Sequence, residues 1–416
     1  MSNNKGMFLL SMAAGLAGLS MVASAETVFE EVSVTYDGAA QDPVNSAAVD
    51  LYGNMYITGT NSGSYFTAKY NSYGSEVWLR FHDTGTSSWF GKFDTMIVDR
   101  DSNVYVALSE SYNFGRILKY DADGNETVLV AGGGTPYNHD HKIGLELDSA
   151  QDNLFLRASN TISKVSFNGG AGWSQLLHNS NTWVRDIAID DSGNVYAVGR
   201  SQYLSGNGTT DVIVKKFDSN GNELWVQHWF ETGTQAEDAF GIELDSTGNA
   251  YILVQANNYN SACSGCTTSS VVSFDSNGLE LGSVALNGTD GYLAGALKVV
   301  NDKIYVTMRS KSGFILTTQK LNLDLSLVWS TDYSGGYSVP KGLDVDGLGN
   351  VVVGFEGQYN MATVKYDMNG TELWTQTGAG SRSAFVKFGV TGEVYAAGYK
   401  FDAFMYRYGV TQLICQ

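Results

Sequence analysis

Short apolar runs separated by polar turns recur along almost the whole chain, and they are clearest between Asp186 and Trp225. Residues 187–189, 195–198 and 212–217 form three such runs, and a fourth begins at Leu224. Apolar positions alternate within them, and β-branched and aromatic side chains dominate, as is typical of β-strands. This stretch therefore predicts a meander of four strands.

The two polar turns of this stretch explain its register. In the first turn, the Asp190 carboxylate is placed to accept backbone N–H groups, Gly193 supplies a positive φ, and Asn194 tolerates the left-handed region. In the second turn, Asp218, Asn220 and Gly221 have the same roles, and Trp225 follows on the fourth strand. We expect this indole to cover the seam between neighbouring units.

The pattern recurs as eight copies, which decides the fold prediction. Corresponding residues on the second strand lie 41 to 55 residues apart, the size of one four-stranded propeller blade. The anchors are Tyr56, Tyr105, Phe155, Tyr196, Tyr251, Tyr305, Val352 and Tyr395. The outer strand keeps a tryptophan at Trp78, Trp173, Trp225, Trp329 and Trp374.

The copies predict an all-β fold: a closed β-propeller of four-stranded antiparallel blades, with eight blades, or seven if one copy is merged with its neighbour. We expect a single domain over residues 26–416. Residues 26–36 read as one alternating strand that joins the sheet of the last copy, so that no long sheet edge stays open. The alternative closing strand is QLICQ, residues 412–416.

Residues 1–25 have the features of a secretory signal peptide: Lys5, an apolar run over residues 7–22, and the A-x-A cleavage signal Ala23-Ser24-Ala25. A retained membrane anchor is the alternative, although the run is short and rich in Gly and Ala. Cleavage predicts a periplasmic, extracellular or cell-surface protein with no integral membrane segment.

Removal of residues 1–25 takes away one lysine and no acid, which leaves 24 basic against 43 acidic residues and a formal charge of −19. A chain this acidic is a poor partner for nucleic acid or for anionic membranes. We expect an acidic, soluble monomer.

The motifs D-x-x-G-N-x-Y-x-x-G and K-[YF]-D-x-x-G-x-E-x-W resemble the bacterial β-propeller repeats called SBBP repeats and, more loosely, the NHL repeats. The resemblance covers nearly the whole chain after residue 25. It implies a propeller that serves as a scaffold, and it implies no particular activity, because propellers have many roles.

His139, Asp140 and His141 are the densest group of metal-type ligands, and two histidines at this spacing on a strand would face the same side. Solvated loop histidines are the alternative. His82, His178 and His228 lie in other repeats, and the sequence does not bring them together.

Two other groups of residues have a chemical and a structural interpretation. The D-x-x-G turns at Asp121, Asp218 and Asp275 resemble the start of a calcium loop, but none continues to a bidentate Glu at the required spacing, so a structural turn is favoured over a bound calcium or other divalent cation. Cys263 and Cys266 suit a small disulfide after export, with free thiols or a redox or metal role as alternatives, and Cys415 is left over.

No catalytic residue or cofactor site is predicted, because no G-x-S-x-G elbow, Walker loop or H-E-x-x-H motif occurs. The leading hypothesis is an exported, non-catalytic scaffold that binds a protein, glycan or other ligand through loops at one mouth of the ring. The loops favoured for contact are residues 199–211, 255–270 and 132–141. The alternatives are a metal-assisted lyase or hydrolase that uses His139 and His141, and a structural envelope-assembly protein.

Overall fold

The computed structural model describes most of the chain as strands joined by turns. The described ranges are 27–36, 44–61, 64–83, 96–110, 113–131, 143–167, 171–179, 181–202, 210–230, 236–258, 266–286, 292–310, 314–333, 335–357, 360–378, 382–399 and 403–411. These ranges contain no helix, and therefore no helix that could span a membrane.

The strands follow the eight sequence copies, which we number as repeats 1 to 8 in chain order. One strand, β1 (Thr27–Tyr36), precedes repeat 1. Repeats 1 to 4 contain β2 (Val44–Val49), β3 (Met55–Asn61), β4 (Ser64–Tyr70) and β5 (Glu76–Asp83); β6 (Met96–Val98), β7 (Val104–Glu110), β8 (Asn113–Tyr120) and β9 (Glu126–Ala131); β10 (Gly144–Leu147), β11 (Leu154–Ala158), β12 (Thr161–Val165) and β13 (Ala171–Leu176); and β14 (Thr182–Ile189), β15 (Val195–Gln202), β16 (Thr210–Phe217) and β17 (Glu223–Trp229).

Repeats 5 to 8 continue the pattern, and repeat 8 has three consecutive strands. They contain β18 (Ala236–Leu244), β19 (Ala250–Asn258), β20 (Cys266–Phe274) and β21 (Glu280–Ala285); β22 (Tyr292–Val300), β23 (Lys303–Ser310), β24 (Leu316–Asn322) and β25 (Leu327–Asp332); β26 (Ser338–Val345), β27 (Val351–Gly357), β28 (Met361–Tyr366) and β29 (Glu372–Thr377); and β30 (Arg382–Phe388), β31 (Val394–Tyr399) and β32 (Ala403–Thr411).

The strands form seven hydrogen-bonded sheets, six with four strands and one with eight. The eight-stranded sheet combines repeats 4 and 5, whose strands are antiparallel within each repeat. A single parallel pair, Thr210 with Ala236, joins the two repeats. The predicted four-stranded antiparallel meander is therefore confirmed.

The ring closes through the two ends of the chain. Strand β1 pairs antiparallel with β32, so the fourth sheet position of repeat 8 is filled by the N-terminal strand. The sheet of repeat 8 then packs on repeat 1, where Tyr395 and Ala397 share a core with Met55 and Ile57. The prediction that residues 26–36 close the last sheet is confirmed over the described part of that segment.

The first strand of each repeat lies at the centre of the ring. These strands contact one another in succession from β2 to β30, and β30 contacts β2 again. Apolar side chains fill the seams between sheets; one such cluster joins Val198 and Val214 of repeat 4 to Ile252 and Val272 of repeat 5. The first strands therefore form the inner wall of the ring.

Candidate binding site at the centre of the ring

The meander gives the ring two different faces. The connections from first to second strand and from third to fourth strand lie on one face, which we call the turn face. The connections from second to third strand and from each repeat to the next lie on the opposite face, which we call the loop face. Any ligand therefore meets two unlike surfaces.

The turn face repeats one hydrogen-bonded turn. Asp190 Oδ1 accepts the backbone N–H groups of Ser192 at 3.0 Å and Asn194 at 2.9 Å, and Gly193 has a φ of 74°. The predicted role of Asn194 is wrong, because its φ is not positive. Its side-chain amide instead donates to Asp190 Oδ2 at 2.9 Å, which fixes the carboxylate.

A second set of hydrogen bonds on the turn face joins neighbouring repeats. It confirms the prediction that Trp225 covers the seam between two units. Trp225 Nε1 and Lys216 Nζ both donate to the Ser276 carbonyl of the next repeat, each at 3.1 Å. A Cβ on Gly278 would lie 2.8 Å from the indole, so this turn needs a glycine. The same paired bonds join Lys69 and Trp78 to Ala122, Lys164 and Trp173 to Ser219, and Lys320 and Trp329 to Met368.

Hydrogen bonds within the turn account for the D-x-x-G sequences at Asp121, Asp218 and Asp275. Each carboxylate accepts backbone N–H groups two and four residues further on, such as those of Asn220 and Asn222. For Asp218, the hydrogen bonds from Asn222 hold the pKa of the carboxyl below its usual value. Among the residues that the structure describes, no group of three or more His, Cys, Asp or Glu side chains is arranged to hold a metal ion.

The loop face carries connections of very different lengths. They range from two residues between β3 and β4 to twelve between β5 and β6. The predicted contact loops fall here, but residues 203–209, 259–265 and 132–142 lie outside the described residues. The described residues nearest to these loops are the strand ends that flank them, such as Gln202 and Thr210.

Below this face, the inner wall has a β-bulge at the same level in six repeats. In repeat 4, Val184 pairs with Gly199 and Asp186 with Val198, so Arg185 is the extra residue. Phe240 and Lys341 have the same position in repeats 5 and 7. The bulges of repeats 1, 6 and 8 follow the same pattern. Bulges re-aim side chains and often lie beside functional sites.

The bulged side chains of repeats 5 and 7 are exposed although they belong to the innermost strands. Phe240 is 43% exposed, whereas its neighbours Ala239 and Ile242 are each 2% exposed. Lys341 is also exposed, and its Nζ lies 3.4 Å from Glu356 Oε2. The bulges therefore offer an aromatic ring and a cation to whatever enters the centre of the ring.

In repeat 4 the bulged residue is held by its neighbour. Arg185 donates through Nε and Nη2 to both oxygens of Asp238, at 2.8 and 2.5 Å. Arg200 Nη1 lies 3.6 Å from the same carboxylate, and its guanidinium stacks 4.7 Å from the Trp183 ring. Such bidentate pairs fix geometry strongly. This corner of the wall is therefore preorganised.

Towards the turn face, the inner wall carries a mixed charge cluster. Lys298 Nζ donates to Glu243 Oε1 at 2.6 Å, and Arg157 Nε lies 3.6 Å from Asp186 Oδ1. Although solvent still reaches Glu146, its partial desolvation and the nearby Asp186 carboxylate raise its pKa to about 7, against the opposing effect of Lys298. A carboxyl group in this environment exchanges its proton near neutral pH.

A separate cleft of about 350 Å³ lies on the turn face between repeats 4 and 5. Its lining is mostly the two first turns, including Asp190, Asp191, Asp245 and Thr247. Tyr196 crosses it and donates to the Gly248 carbonyl at 2.8 Å. Because Asp190, Asp245 and Thr247 already form hydrogen bonds within these turns, the inner wall is the stronger candidate site.

The residues predicted from sequence to bind metal or to form a disulfide lie almost entirely outside the described part of the chain. His139, Asp140, His141, Cys263 and Cys415 lie outside the described residues, and Cys266 begins β20. Their proposed roles stay predictions.

The remaining histidines occupy two different places. His178 and His228 come together across repeats 3 and 4, with ring centroids 6.1 Å apart, and burial lowers the pKa of His228. His82 Nδ1 instead lies 3.1 Å from Glu126 Oε1.

Sequence reasoning missed the inner-wall residues. Arg185, Phe240 and Lys341 have no shared residue type, so a search for recurring motifs passes over them. The sequence signal that marks these residues is their shared position. Each is a variable residue five or six positions before the first turn of its repeat. A wall that recognises a ligand needs different side chains at the same level in different repeats.

Four-stranded antiparallel sheets arranged in a circle, with their first strands at the centre, define the β-propeller class. Residues 172–203 match the SBBP family, described as a β-propeller repeat. This match confirms the SBBP-type β-propeller repeat that the resemblance of the motifs predicted.

A solved propeller structure agrees with this fold. The chain is similar to the Dos1 propeller, with a TM-score of 0.57 and 13% identity over 91% of this chain and 94% of that chain. Similarity is weaker to the WD40 β-propeller domain of Doa1, with a TM-score of 0.49 and 12% identity over 92% and 97% of the two chains. No curated protein matches the chain. At such low identity the likeness concerns the fold alone.

Proposed function

We propose that this protein is an exported, non-catalytic binding module that takes a protein or glycan at the loop-face mouth of the ring. The observation that supports this most is the recurring β-bulge, which brings a different residue to the same level of the inner wall in six of the repeats. The repeated turns keep the frame constant, so the variable wall and loops are free to specify a ligand.

The chemistry of the wall fits a ligand with both apolar and hydrogen-bonding groups. The exposed ring of Phe240 in repeat 5 offers stacking area, and Lys341 and Glu356 in repeat 7 offer a donor and an acceptor. Sugar rings and peptide side chains both present such mixed surfaces. The long connections at residues 203–209 and 259–265 are proposed to extend contact outwards.

We also infer that the ring has eight blades. The parallel link between repeats 4 and 5 is one residue pair, and each of these repeats has its own four strands. We propose further that residues 1–25 are removed on export to the periplasm or cell surface. Mass spectrometry of the protein from its native host should then find Glu26 as the first residue.

The binding proposal is tested by capture from the native envelope. The full mature chain is immobilised and incubated with detergent-solubilised envelope extract and, separately, with a glycan array. Phe240→Ala with Lys341→Ala should lower capture of the same ligand at least tenfold. A second variant replaces residues 203–209 by Gly and Ser and should lower it as well.

The matched control changes exposed residues of the other face in the same part of the ring, Ser192→Ala with Asn220→Ala. Circular dichroism and the urea midpoint must match the wild type for all variants. Equal capture by the inner-wall variant and the control would refute the proposed site. Loss of capture in the control alone would place binding on the turn face.

A further inference from the structure

Three side chains stack on one another on the loop face, between repeats 6 and 7. The rings of Phe314 and Tyr337 have centroids 4.5 Å apart and an interplanar angle of 27°. The guanidinium of Arg309 lies over the Phe314 ring, 4.7 Å from its centroid. Arg309 lies near the end of β23, Phe314 precedes β24 and Tyr337 precedes β26, so all three belong to the loop-face rim of the ring. We call them the rim stack.

Phe314 has a backbone conformation that bulky residues rarely adopt. Its φ is 52°, and in the described part of the chain it is the only aromatic residue with a positive φ. Its carbonyl accepts the N–H of the buried Ser338 at 2.9 Å, and the N–H of the next residue, Ile315, donates to Ser310 Oγ at 3.0 Å. Strain of this kind persists where the surrounding structure enforces it, and it is common at functional sites.

The connection before β26 fixes the position of Tyr337. It leaves no room for a Cβ on Gly335, because the ring of Tyr333 lies directly against this glycine. Tyr333 in turn packs on the core shared by repeats 6 and 7. Tyr337 itself is 41% exposed, and since Phe314 covers one face of its ring, a ligand would stack on the other face. A tyrosine held in this way is a rigid platform for the C–H groups of a sugar ring.

Arg309 brings an unpaired charge to the rim stack. Arg200 has the same position in repeat 4, four residues after the anchor tyrosine, and it also lies 4.7 Å from an aromatic ring. Arg200 Nη1 is 3.6 Å from Asp238 Oδ2, whereas Arg309 forms no ion pair with any residue that the structure describes. A guanidinium that stacks through its face keeps the N–H groups of its edge, and these fit a carboxylate in a bidentate pair.

A second cation lies deeper in the ring on the same strand. Lys341, the bulged residue of repeat 7, follows Tyr337 by four residues, which corresponds to roughly 13 Å of strand. Two cations therefore flank an exposed aromatic ring on the path from the rim to the inner wall. Charge complementarity at such a place favours a ligand that carries negative groups.

We propose that the rim stack binds an oligosaccharide of uronic acids, with one sugar ring against Tyr337 and the carboxylate of that sugar on Arg309. A neighbouring sugar then extends towards Lys341. This inference rests on the proposed function and names its ligand class, a glycan whose rings carry carboxylates. The enforced backbone of Phe314 holds the platform and the guanidinium in place before the sugar arrives, which lowers the entropic cost of binding.

Isothermal titration calorimetry of the full mature chain tests the inference. The probes are tetrasaccharides of galacturonic, mannuronic or guluronic acid, and a neutral tetrasaccharide of galactose. At least one acidic probe should bind at least tenfold more tightly than the neutral one, and added salt should weaken it. Tyr337→Ala should lower that affinity at least tenfold, and Arg309→Gln should lower it to the affinity of the neutral probe. Phe314→Gly accepts the φ of 52° without strain and should also lower it at least tenfold while circular dichroism stays unchanged.

Two turn-face variants serve as matched controls. Tyr73 is 84% exposed and the side chain of Arg100 is 56% exposed, so Tyr73→Ala and Arg100→Gln should bind the acidic probe as the wild type does. Equal affinity of the wild type for acidic and neutral probes would overturn the inference. Wild-type affinity in Arg309→Gln, or no binding of any tetrasaccharide, would overturn it too.

Capture from the native envelope separates this inference from the proposed function. Capture that is lost in Phe240→Ala with Lys341→Ala, but kept in Tyr337→Ala and in Arg309→Gln, would refute the rim stack and leave the proposed function standing. Capture that survives all of these changes would refute both. A captured acidic protein that requires Tyr337 and Arg309 would assign the rim stack to a peptide and overturn the sugar.

Discussion

On the turn face, Asp50, Asp190 and Asp245 hold nearly identical hydrogen bonds, and most connections have five residues, as in residues 50–54 and 190–194. On the loop face, the corresponding connections vary from two to twelve residues. The difference shows that the residues that fix strand register and the residues that vary lie on opposite faces of the ring. Bonds that set the register of each sheet gather at one end, and this leaves the other end free to vary.

The largest expected effect comes from removing an indole that joins two repeats. Trp78 is 4% exposed, packs 5.6 Å from the Tyr120 ring and donates to the Ala122 carbonyl at 3.2 Å. Trp78→Ala should lower the free energy of unfolding by about 4 kcal/mol in urea denaturation, because it leaves a cavity in the seam. Phe230→Ala on the loop face, where the ring is 61% exposed, should cost less than about 0.5 kcal/mol. Equal losses would contradict the division between the faces.

A buried turn carboxylate should come next. Asp50 accepts hydrogen bonds from the hydroxyls of Tyr56 at 2.9 Å and Ser102 at 2.8 Å, the second from the next repeat. Asp50→Ala leaves both buried donors without this acceptor, and we expect a loss of about 3 kcal/mol at pH 7.

The same change has a predicted pH dependence. Burial alone would raise the pKa of Asp50, but hydrogen bonds from Asn54, Ser102 and Tyr56 outweigh it and hold the pKa below its usual value. The stabilisation is therefore present above the unfolded pKa of about 3.9 and is lost as the pH falls through the lower folded value. Urea midpoints of Asp50→Ala and the wild type should converge in acid. A constant difference from pH 7 to pH 3 would refute this.

Two glycines separate backbone strain from contact between repeats. Gly193 and Gly278 both have positive φ, 74° and 89°, but only Gly278 lies under an indole. Gly193→Ala should cost about 1 kcal/mol for its φ alone, whereas Gly278→Ala should cost about 3 kcal/mol, because the new methyl group displaces Trp225. The test is the difference between their urea midpoints, and equal costs would mean that the indole moves freely.

The smallest effect is expected at the inner wall. Because the folded pKa of Glu146, about 7, lies above its unfolded value of about 4.3, the wild type should lose stability as the pH rises from about 4 to 7. Glu146→Gln should lack this loss and gain up to about 1 kcal/mol on the wild type above pH 7, since solvent reaches this side chain and weakens the effect. Urea midpoints at pH 5 and pH 8 measure it. A gap that does not change with pH would contradict the raised pKa.

The sequence was sufficient wherever a feature depends on residues that are close along the chain. The Asp190 turn, the strand spacing and the Trp225 seam were predicted, because turn chemistry and repeat length are local signals. The bulge at Phe240 and the pair of Lys298 with Glu243 were not, because they depend on which residues face each other between strands and between repeats. Asn194 was misjudged for a related reason: the side-chain bond to Asp190 replaces the left-handed backbone that its residue type allows.

The junction between β1 and β32 affects the order in which this protein can mature. The residues that complete the last sheet are the first and the last of the described strands to be synthesised, so the circle closes only when translation has reached residue 411. Until then β31 lacks its partner and presents an open edge, the kind of surface that recruits chaperones and promotes aggregation. A premature stop codon before β32 would therefore produce a chain that quality control can recognise by its unpaired strand.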